Sequence, residues 1–279
     1  MPTITSLLKG ATAQGLPRHE AHYLMLHACG RATHDRAWLL THEADLLKDE
    51  LVQRWQDAVM QRQSGVPVAY IVGSKEFHGL QLKISPAVLD PRDDTETLVD
   101  WALELIPLDE PFKVLDLGTG SGAVALAIRA QRPLAQVTAT DASAQALAIA
   151  AANSAALELP VRFVQTNVRD PHWFSALEGQ VFDLIVSNPP YIAQGDRHLA
   201  ALKHEPAMAL TSGKDGLDAL RSIITNASSH LPSGGHLLLE HGYDQAERVC
   251  GLLSVNGFVD AITRHDLGGL DRCSGARIL

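Results

Sequence analysis

The sequence feature that most constrains the fold is a glycine-rich turn between an apolar run and a helix-like run. The apolar run is Phe112-Lys113-Val114-Leu115-Asp116-Leu117, the turn is Gly118-Thr119-Gly120-Ser121-Gly122, and the third segment is Ala123-Val124-Ala125-Leu126-Ala127-Ile128. A strand, a glycine turn and a helix in this order form the first unit of a nucleotide-binding α/β sheet. The glycines let the backbone turn tightly and approach a ligand closely. We therefore predict that the turn binds a nucleotide-like cofactor.

A second predicted strand, residues 136–140, ends at Asp141. A carboxylate at this position is placed to accept both hydroxyls of an adenosine ribose. The pattern alone leaves alternatives open, because Gly118, Gly120 and Ala123 also satisfy the relaxed dinucleotide fingerprint, with Asp141 at the spacing expected for NAD. A tight strand-to-helix turn followed by a surface aspartate is the structural alternative.

A second motif, Asn188-Pro189-Pro190-Tyr191, follows the apolar run 182–187, which we predict to be a buried strand. The Asn188 side-chain oxygen and the Pro189 carbonyl can accept N–H groups, the two prolines stiffen the segment, and Tyr191 can stack on a planar substrate. Such acceptors favour a transition state in which positive charge develops on an amide or ring nitrogen. The alternative is a Pro-Pro turn with an ordinary surface aromatic residue.

Three further residues have two interpretations each. Trp173 lies between the predicted third and fourth strands, where an adenine face would lie, so it either stacks on the cofactor or belongs to the core. Glu205 and Glu240 are catalytic in one interpretation and solvated or capping carboxylates in the other.

Composition restricts the class of protein. The 279 residues include three cysteines, which are far apart and suggest neither a disulfide framework nor a zinc site. No histidine spacing resembles a ligand set, so we predict no metal. We find no apolar run that approaches the roughly 20 residues of a membrane span and no signal-peptide pattern, which predicts a cytoplasmic protein without a membrane partner.

The charge is unevenly distributed along the chain. The net charge is −9, and residues 1–70 hold seven basic and seven acidic residues, so the excess of acid lies in residues 71–279. An acidic catalytic half is a poor match for duplex DNA and suits a cationic cofactor and a basic protein partner. We therefore expect no direct binding of nucleic acid.

We predict three parts. Residues 1–65 form a small helical domain that either recognises a macromolecule or only stabilises the chain. Residues 66–94 form a connector with a β-hairpin between 70–73 and 80–84. Residues 95–279 alternate strands and helices through at least five βα units, which predicts a mostly parallel sheet covered on both faces and closed by a final hairpin between 258–262 and 276–279.

With these residues in hand, the chain resembles the PrmC/HemK family of protein-(glutamine-N5) methyltransferases nearly end to end. The segments that carry the resemblance are Pro67-Val68-Ala69-Tyr70-Ile71, Glu76-Phe77, Pro91-Arg92, Asp94-Thr95-Glu96, Asp116 to Gly122, Asn188 to Ile192, Glu205-Pro206, Asp215-Gly216-Leu217 and Leu239-Glu240-His241-Gly242. The chain departs from the family pattern at Asp90, Asp93 and Asn167, and in the apparent extra length from Arg169 to His172.

The resemblance implies a Rossmann-like fold that binds S-adenosylmethionine, and methyl transfer to the glutamine of the Gly-Gly-Gln loop of class 1 peptide chain release factors. Gly118, Thr119, Gly120, Ser121, Gly122, Asp141, Trp173 and Asn188 would hold the cofactor. Asn188, Pro189, Pro190 and Tyr191 would bind the glutamine amide, with Asn188, Pro189 and Tyr191 in the catalytic role. We expect a monomer.

Two other functions remain open at this point. An adenine-N6 methyltransferase acting on nucleic acid would use the same Asn-Pro-Pro-Tyr chemistry, because both substrates present a conjugated nitrogen. A binding module that keeps the cofactor fold only for assembly is the non-enzymatic alternative.

Overall fold

The structure, a computed structural model, describes residues 1–170, 172–177 and 179–279. These residues form two compact units, Met1–Ser74 and Lys75–Leu279. None of the helices formed by these residues is long and apolar enough to span a membrane.

The first unit is helical. Its helices are α1 (Ile4–Ala13), α2 (Arg18–Ala28), α3 (Arg36–Thr41), α4 (Asp49–Gln63) and α5 (Val68–Val72). The Thr3 hydroxyl caps α1 by accepting the Ser6 N–H at 3.2 Å. Helix α4 buries Trp55, Ala58 and Val59, three residues at helical spacing, in one core with α2.

The segment at residues 70–73 corrects the predicted hairpin, because it is not a strand. Residues Val68–Val72 form α5, which follows Pro67 and ends at Gly73 in a left-handed conformation (φ 79°). Val68, Ile71 and Val72 pack against the buried core of the first unit. This packing outweighs the β-propensity of a Tyr-Ile-Val run. The observed hairpin pairs β1 (Ser74–Phe77) with β2 (Leu80–Lys83).

The second unit alternates strands and helices. After the hairpin come α6 (Glu96–Leu105), β3 (Phe112–Leu117), α7 (Ala123–Gln131), β4 (Ala135–Asp141), α8 (Ala144–Ala156), β5 (Arg162–Gln165), β6 (Leu184–Ser187), α9 (Ala207–Leu210), α10 (Asp218–Ala227), β7 (His236–Glu240), α11 (Ala246–Val255), β8 (Phe258–His265) and β9 (Asp271–Ile278). Short 3₁₀ turns lie at Asp93–Thr95, Trp173–Leu177, Arg197–Ala200 and Ser228–His230.

The seven strands from β3 to β9 form one sheet in the order β5-β4-β3-β6-β7-β9-β8. Strands β3 to β7 run parallel to one another, and β9 pairs antiparallel with β7 and β8. The predicted parallel sheet and its closing hairpin are both confirmed. All four residues of β6 are buried, as expected for a central strand covered on both faces.

The register places four strand ends at one edge. Leu117 of β3 lies opposite Thr140 of β4 and Ser187 of β6, and Ser187 lies opposite Leu239 of β7. The chain leaves β3 towards β4 on one side and β6 continues towards β7 on the other, so β3 and β6 flank the point where the strand order reverses. Ligands of open α/β sheets bind in the crevice at such a point.

One glycine of β9 is required by its neighbours. A Cβ on Gly275 would lie 2.4 Å from Leu238 Cδ2 and 2.7 Å from the Trp101 ring. Both neighbours are buried, Leu238 in β7 and Trp101 in α6. The Trp101 indole therefore packs directly on the backbone of β9.

We predict that Gly275→Ala lowers the free energy of unfolding by about 1 to 3 kcal/mol, because the added methyl group overpacks the contact with Leu238 and Trp101. Urea unfolding measures the change. Gly251→Ala, at an open helical position in α11, is the control and should raise stability by about 0.5 to 1 kcal/mol. An unchanged midpoint for Gly275→Ala would contradict this packing.

Candidate functional site

A cavity lies at the carboxyl ends of β3, β4, β5 and β6. Three groups of residues line it: the ends of these strands with the segments that follow them, an apolar wall before α6, and a second wall at α9. They are Ala87, Val88, Leu89, Gly118, Gly120, Asp141, Ala142, Ser143, Ala146, Thr166, Asn167, Val168, Arg169, Asn188, Pro190, Pro206, Met208 and Ala209. The two sequence motifs therefore meet in one cavity.

The glycine turn presents its backbone to this cavity. Gly118 and Gly120 both have positive φ angles, 77° and 56°, which favour glycine. The N–H groups of Gly118 and Thr119 both donate to the Thr140 carbonyl, at 2.9 and 2.8 Å. These bonds fix the turn to the end of β4 and keep its backbone, without side chains at Gly118 and Gly120, against the cavity.

Asp141 connects the turn to the start of α8. Its Oδ2 accepts the Gly120 N–H and its Oδ1 accepts the Ser143 N–H, both at 2.9 Å. A carboxylate has about four acceptor sites, so Asp141 keeps acceptor capacity for a ligand. Burial raises the pKa of Asp141, and these two N–H groups, together with that of Ala142, act in the opposite direction.

Asn188 lies where β6 ends, and its amide is oriented by one hydrogen bond. Its Nδ2 donates to the Thr95 hydroxyl at 3.0 Å. Among the described residues we find no donor to its Oδ1, which therefore stays an acceptor for a ligand. A Cβ on Gly118 would lie 3.9 Å from the Asn188 backbone carbonyl oxygen, so the two motifs are neighbours.

The partly buried Tyr191 and the buried Glu240 form a hydrogen-bonded pair near Asn188. The Tyr191 hydroxyl donates to Glu240 Oε1 at 3.2 Å. Glu240 is 1% exposed, and burial raises the pKa of its carboxyl to about 7, although the Thr95 hydroxyl, the Arg272 charge and the Tyr191 hydroxyl favour the ionised form. Burial and the neighbouring Glu240 carboxyl also raise the pKa of Tyr191. The solvated interpretation of Glu240 is therefore wrong.

The loop after Tyr191 is held from two sides. The Tyr191 carbonyl accepts the Gln245 Nε2–H at 3.0 Å. Gly216, with φ 78°, lies so close that a Cβ there would be 2.2 Å from the same carbonyl oxygen. The Ile192 N–H donates to the Leu210 carbonyl, and the Ser212 N–H donates to the Ile192 carbonyl, both at 2.9 Å.

Several predicted site residues lie outside the cavity lining. Thr119 and Ser121 are buried behind the turn, and Gly122 packs against Leu126 and Ala150 with no room for a side chain. Pro189 is buried, whereas Pro190 lines the cavity.

Trp173 is placed in the hydrophobic core. It is 2% exposed, and its ring stacks on Phe174 with a centroid distance of 3.4 Å. Of the two interpretations of Trp173, the structure favours the core residue, because the Trp173 side chain is not part of the cavity lining.

The two apolar walls were not predicted as part of the site. An ion pair joins them: Arg92 Nη2 donates to Glu205 Oε1, and the Asp90 N–H donates to Glu205 Oε2 at 3.3 Å. Glu205 is buried and immediately precedes Pro206 of the second wall. In the sequence, the signal for these two walls was the pair of Pro-Arg and Glu-Pro motifs, because opposite charges in two distant motifs can form an ion pair.

Two of the residues at which the chain departs from the family pattern, Asn167 and Arg169, line the cavity. Asn167 Oδ1 accepts the Arg169 N–H at 3.0 Å, and Arg169 Nη2 donates to the Met208 carbonyl at 3.3 Å, which ties this segment to the second wall. Of the apparent extra length from Arg169 to His172, Pro171 lies outside the described residues.

The donor and acceptor set fits a nucleoside. The Asp141 acceptor sites suit vicinal hydroxyls, the exposed glycine backbone permits close approach, and the apolar walls suit a flat ring. In the parts of the chain that the structure describes, no cluster of three or more His, Cys, Asp or Glu side chains could hold a metal ion.

Comparison with known proteins agrees with this chemistry. Residues 100–211 match the family model described as "Methyltransferase small domain", and residues 3–73 match the "PrmC N-terminal domain" model. The chain is 47% identical to a protein of Xylella fastidiosa strain Temecula1 named "Release factor glutamine methyltransferase", over 99% of this chain and 98% of that relative. Proteins of the same name from Coxiella burnetii and Bordetella pertussis are 49% and 45% identical, covering 78% and 97% of this chain and 78% and 98% of those relatives.

Solved structures share the fold at low sequence identity. The methyltransferase domain of METTL16 aligns with a TM-score of 0.56 and 17% identity, over 80% of this chain and 98% of that domain. A methyltransferase from Pyrococcus furiosus aligns with a TM-score of 0.52 and 18% identity, over 80% of this chain and 96% of its own. The predicted Rossmann-like methyltransferase sheet is thereby confirmed.

The buried Asp116 predicts a pH dependence of stability. Burial raises its pKa to about 7, and the Thr119 hydroxyl, which donates to Asp116 at 2.6 Å, offsets only part of this effect. The unfolded chain loses the Asp116 proton near pH 4, whereas the folded chain keeps it until about pH 7. This contribution to stability is therefore present at low pH and lost as the pH rises through about 7.

We predict that the free energy of unfolding of the wild-type protein, relative to that of Asp116→Asn, falls by about 2 kcal/mol between pH 5 and pH 8. Urea unfolding of both proteins at three pH values measures this difference. Asp183→Asn, at a carboxylate that accepts the Lys113 N–H on the exposed side, is the control. A difference that stays constant with pH would contradict the raised pKa.

Proposed function

We infer the function of this chain from the family to which it belongs, the release factor glutamine methyltransferases. We propose that it uses S-adenosylmethionine to methylate the side-chain amide nitrogen (N5) of a release factor glutamine, the one in the Gly-Gly-Gln motif of class 1 factors. The observation that carries the proposal is the anchored Asn188 amide, which lies beside the glycine turn in the same cavity.

The cofactor would be held by the glycine turn and the end of β4. Gly118 and Gly120 would allow close approach of their backbone, Asp141 would accept the ribose hydroxyls, and Asn188 would contact the cofactor from β6. Thr119, Ser121 and Gly122 would support the turn from behind. S-Adenosylmethionine supplies a methyl group bound to a positively charged sulfur. Because Trp173 is buried in the core, we give it no contact with the cofactor.

Asn-Pro-Pro-Tyr would hold the glutamine amide. An amide nitrogen is a weak nucleophile because its lone pair is delocalised into the carbonyl group. Asn188 Oδ1 and the Pro189 carbonyl would each accept one N–H of the glutamine, so that the nitrogen is turned to the methyl donor. These bonds strengthen as positive charge develops on the nitrogen, which stabilises the transition state more than the ground state. Pro190 and Tyr191 would exclude water from the amide.

The partner would be a folded class 1 release factor in the cytoplasm. Residues 71–279, which carry the whole net charge of −9, suit a basic protein surface. The first unit would contribute to recognition of the factor. We propose a monomer that binds neither membrane nor nucleic acid directly.

We predict methyl transfer to a purified class 1 release factor and to the glutamine of its Gly-Gly-Gln motif alone. The measurement is transfer of labelled methyl groups followed by mass mapping of the modified residue. A release factor with this glutamine replaced by alanine is the control and should stay unlabelled. Labelling of adenine-containing DNA or RNA instead would support the adenine-N6 alternative, and no consumption of cofactor with any acceptor would support the binding module.

We predict that Asn188→Ala lowers kcat at least about 100-fold, which is the typical cost of removing one preorganised hydrogen-bonding group at the reacting atoms. The dissociation constant of the cofactor should change less than about tenfold, and the melting temperature should stay near the wild-type value. Asn226→Ala is a matched control, because among the described residues the Asn226 side chain donates only to the Ser222 carbonyl within α10. Near-wild-type turnover of Asn188→Ala would contradict the role assigned to Asn188.

A further inference from the structure

The turn that joins β8 to β9, residues 266–270, lies at the same edge of the sheet as the cavity. Strand β9 runs antiparallel to β7, so it begins where β7 ends: Glu240 pairs with Cys273, and the His241 N–H donates to the Arg272 carbonyl at 2.9 Å. The other parallel strands end at this edge as well. The turn therefore belongs to the edge that carries the site residues.

The start of β9 is also joined to the segment that anchors Asn188. Arg272 Nη2 lies 3.4 Å from Asp94 Oδ2. Asp94 belongs to the 3₁₀ turn Asp93–Thr95, and the Thr95 hydroxyl accepts the Asn188 Nδ2–H at 3.0 Å. A polypeptide that places a glutamine at Asn188 would therefore approach the sheet from the side on which the 266–270 turn lies.

The 266–270 turn is held in shape by a buried ion pair. Asp266 Oδ2 accepts hydrogen bonds from Arg272 Nε and Nη2, at 3.0 and 2.9 Å, and both side chains are buried. Asp266 Oδ1 accepts the Leu270 N–H at 3.0 Å, and the Asp266 N–H donates to the Leu270 carbonyl at 2.8 Å. Gly269, with φ 77°, donates its N–H to the Asp266 carbonyl at 2.9 Å. These bonds fix the backbone on both sides of the turn.

Two leucines project from this rigid turn. The Leu267 side chain is 97% exposed and that of Leu270 is 49% exposed. Single exposed leucines are common on protein surfaces. These two differ in that the turn beneath them is already ordered, so little conformational entropy is lost there when a partner binds. Tyr243, which follows β7, and Met208 of the cavity lining are exposed at the same edge.

We propose that Leu267 and Leu270 form a docking surface for the protein substrate and bind an apolar segment of the release factor beside its Gly-Gly-Gln loop. This inference rests on the proposed function, because a glutamine carried by a folded partner brings the surrounding surface against this edge. The segment is apolar because both docking side chains are hydrocarbon, whereas the charged groups of the turn, Asp266 and Arg272, are paired with each other and buried.

The first test is the kinetics of Leu267→Ser with purified class 1 release factor. Burial of one leucine side chain at an interface contributes enough free energy that its loss should lower kcat/KM for the release factor at least about tenfold. Leu270→Ser should lower it in the same direction. The KM for S-adenosylmethionine and the melting temperature should stay near the wild-type values, because the Leu267 side chain is solvent-exposed.

Two variants serve as controls. Leu267→Met keeps an apolar side chain of similar volume and should stay within threefold of wild-type kcat/KM. Leu108→Ser removes another exposed leucine, which precedes β3 at the opposite edge of the sheet, and it should leave kcat/KM for the release factor unchanged. Together they separate loss of apolar contact at this turn from a general effect of a polar substitution on the surface.

The second test measures contact without turnover. With p-benzoylphenylalanine in place of Leu267, illumination of the full chain with release factor should give a crosslink to residues that flank the Gly-Gly-Gln loop. The same amino acid in place of Leu108 should give none. A release factor that crosslinks at position 267 and is not methylated would overturn the proposed function and leave the docking surface in place.

Two results would overturn the inference while methylation of the release factor remains. One is a decrease of kcat/KM for Leu267→Ser that is smaller than threefold. The other is a crosslink from position 267 only to a second copy of this chain, or only to a part of the release factor remote from the Gly-Gly-Gln loop.

Discussion

The in-register ending of parallel strands is the constraint on which the site depends. Because β3, β4, β6 and β7 run in the same direction and stop at one level, the residues that follow them meet although they are far apart in sequence. The glycine turn follows β3, Asp141 ends β4, Asn188 follows β6 and Glu240 ends β7. Each strand contributes one chemical group, and the hydrogen bond from Asn188 to the Thr95 hydroxyl orients the amide that would bind the substrate.

Much of this fold could be predicted from the sequence, because most of it is local. Strand β3 has the predicted bounds, since its apolar run ends at glycines with positive φ angles. The first hairpin strand was misplaced because Tyr70, Ile71 and Val72 have β-propensity, whereas their environment is a helical core. Propensity describes a residue by itself, and burial of a small helix depends on partners that no local pattern reveals.

The site was predicted less completely than the fold, for a related reason. Gly118, Asp141 and Asn188 could be proposed as site residues because they belong to sequence motifs, and the structure brings them together in one cavity. The connections between motifs were not visible in the sequence: the hydrogen bond from Asn188 to Thr95 joins residues 93 positions apart. Trp173 had the right position in the chain for a cofactor contact, but its side chain is buried in the core.

The central claim is that a rigid oxygen of Asn188 receives the N–H of a glutamine side chain at the edge of the sheet. A crystal structure of the protein with S-adenosylhomocysteine and a Gly-Gly-Gln peptide tests it most directly. The account predicts the glutamine nitrogen within about 3.2 Å of Asn188 Oδ1, with Asn188 Nδ2 still on Thr95. A glutamine side chain bound elsewhere, or an Asn188 amide turned with its nitrogen to the peptide, would contradict it.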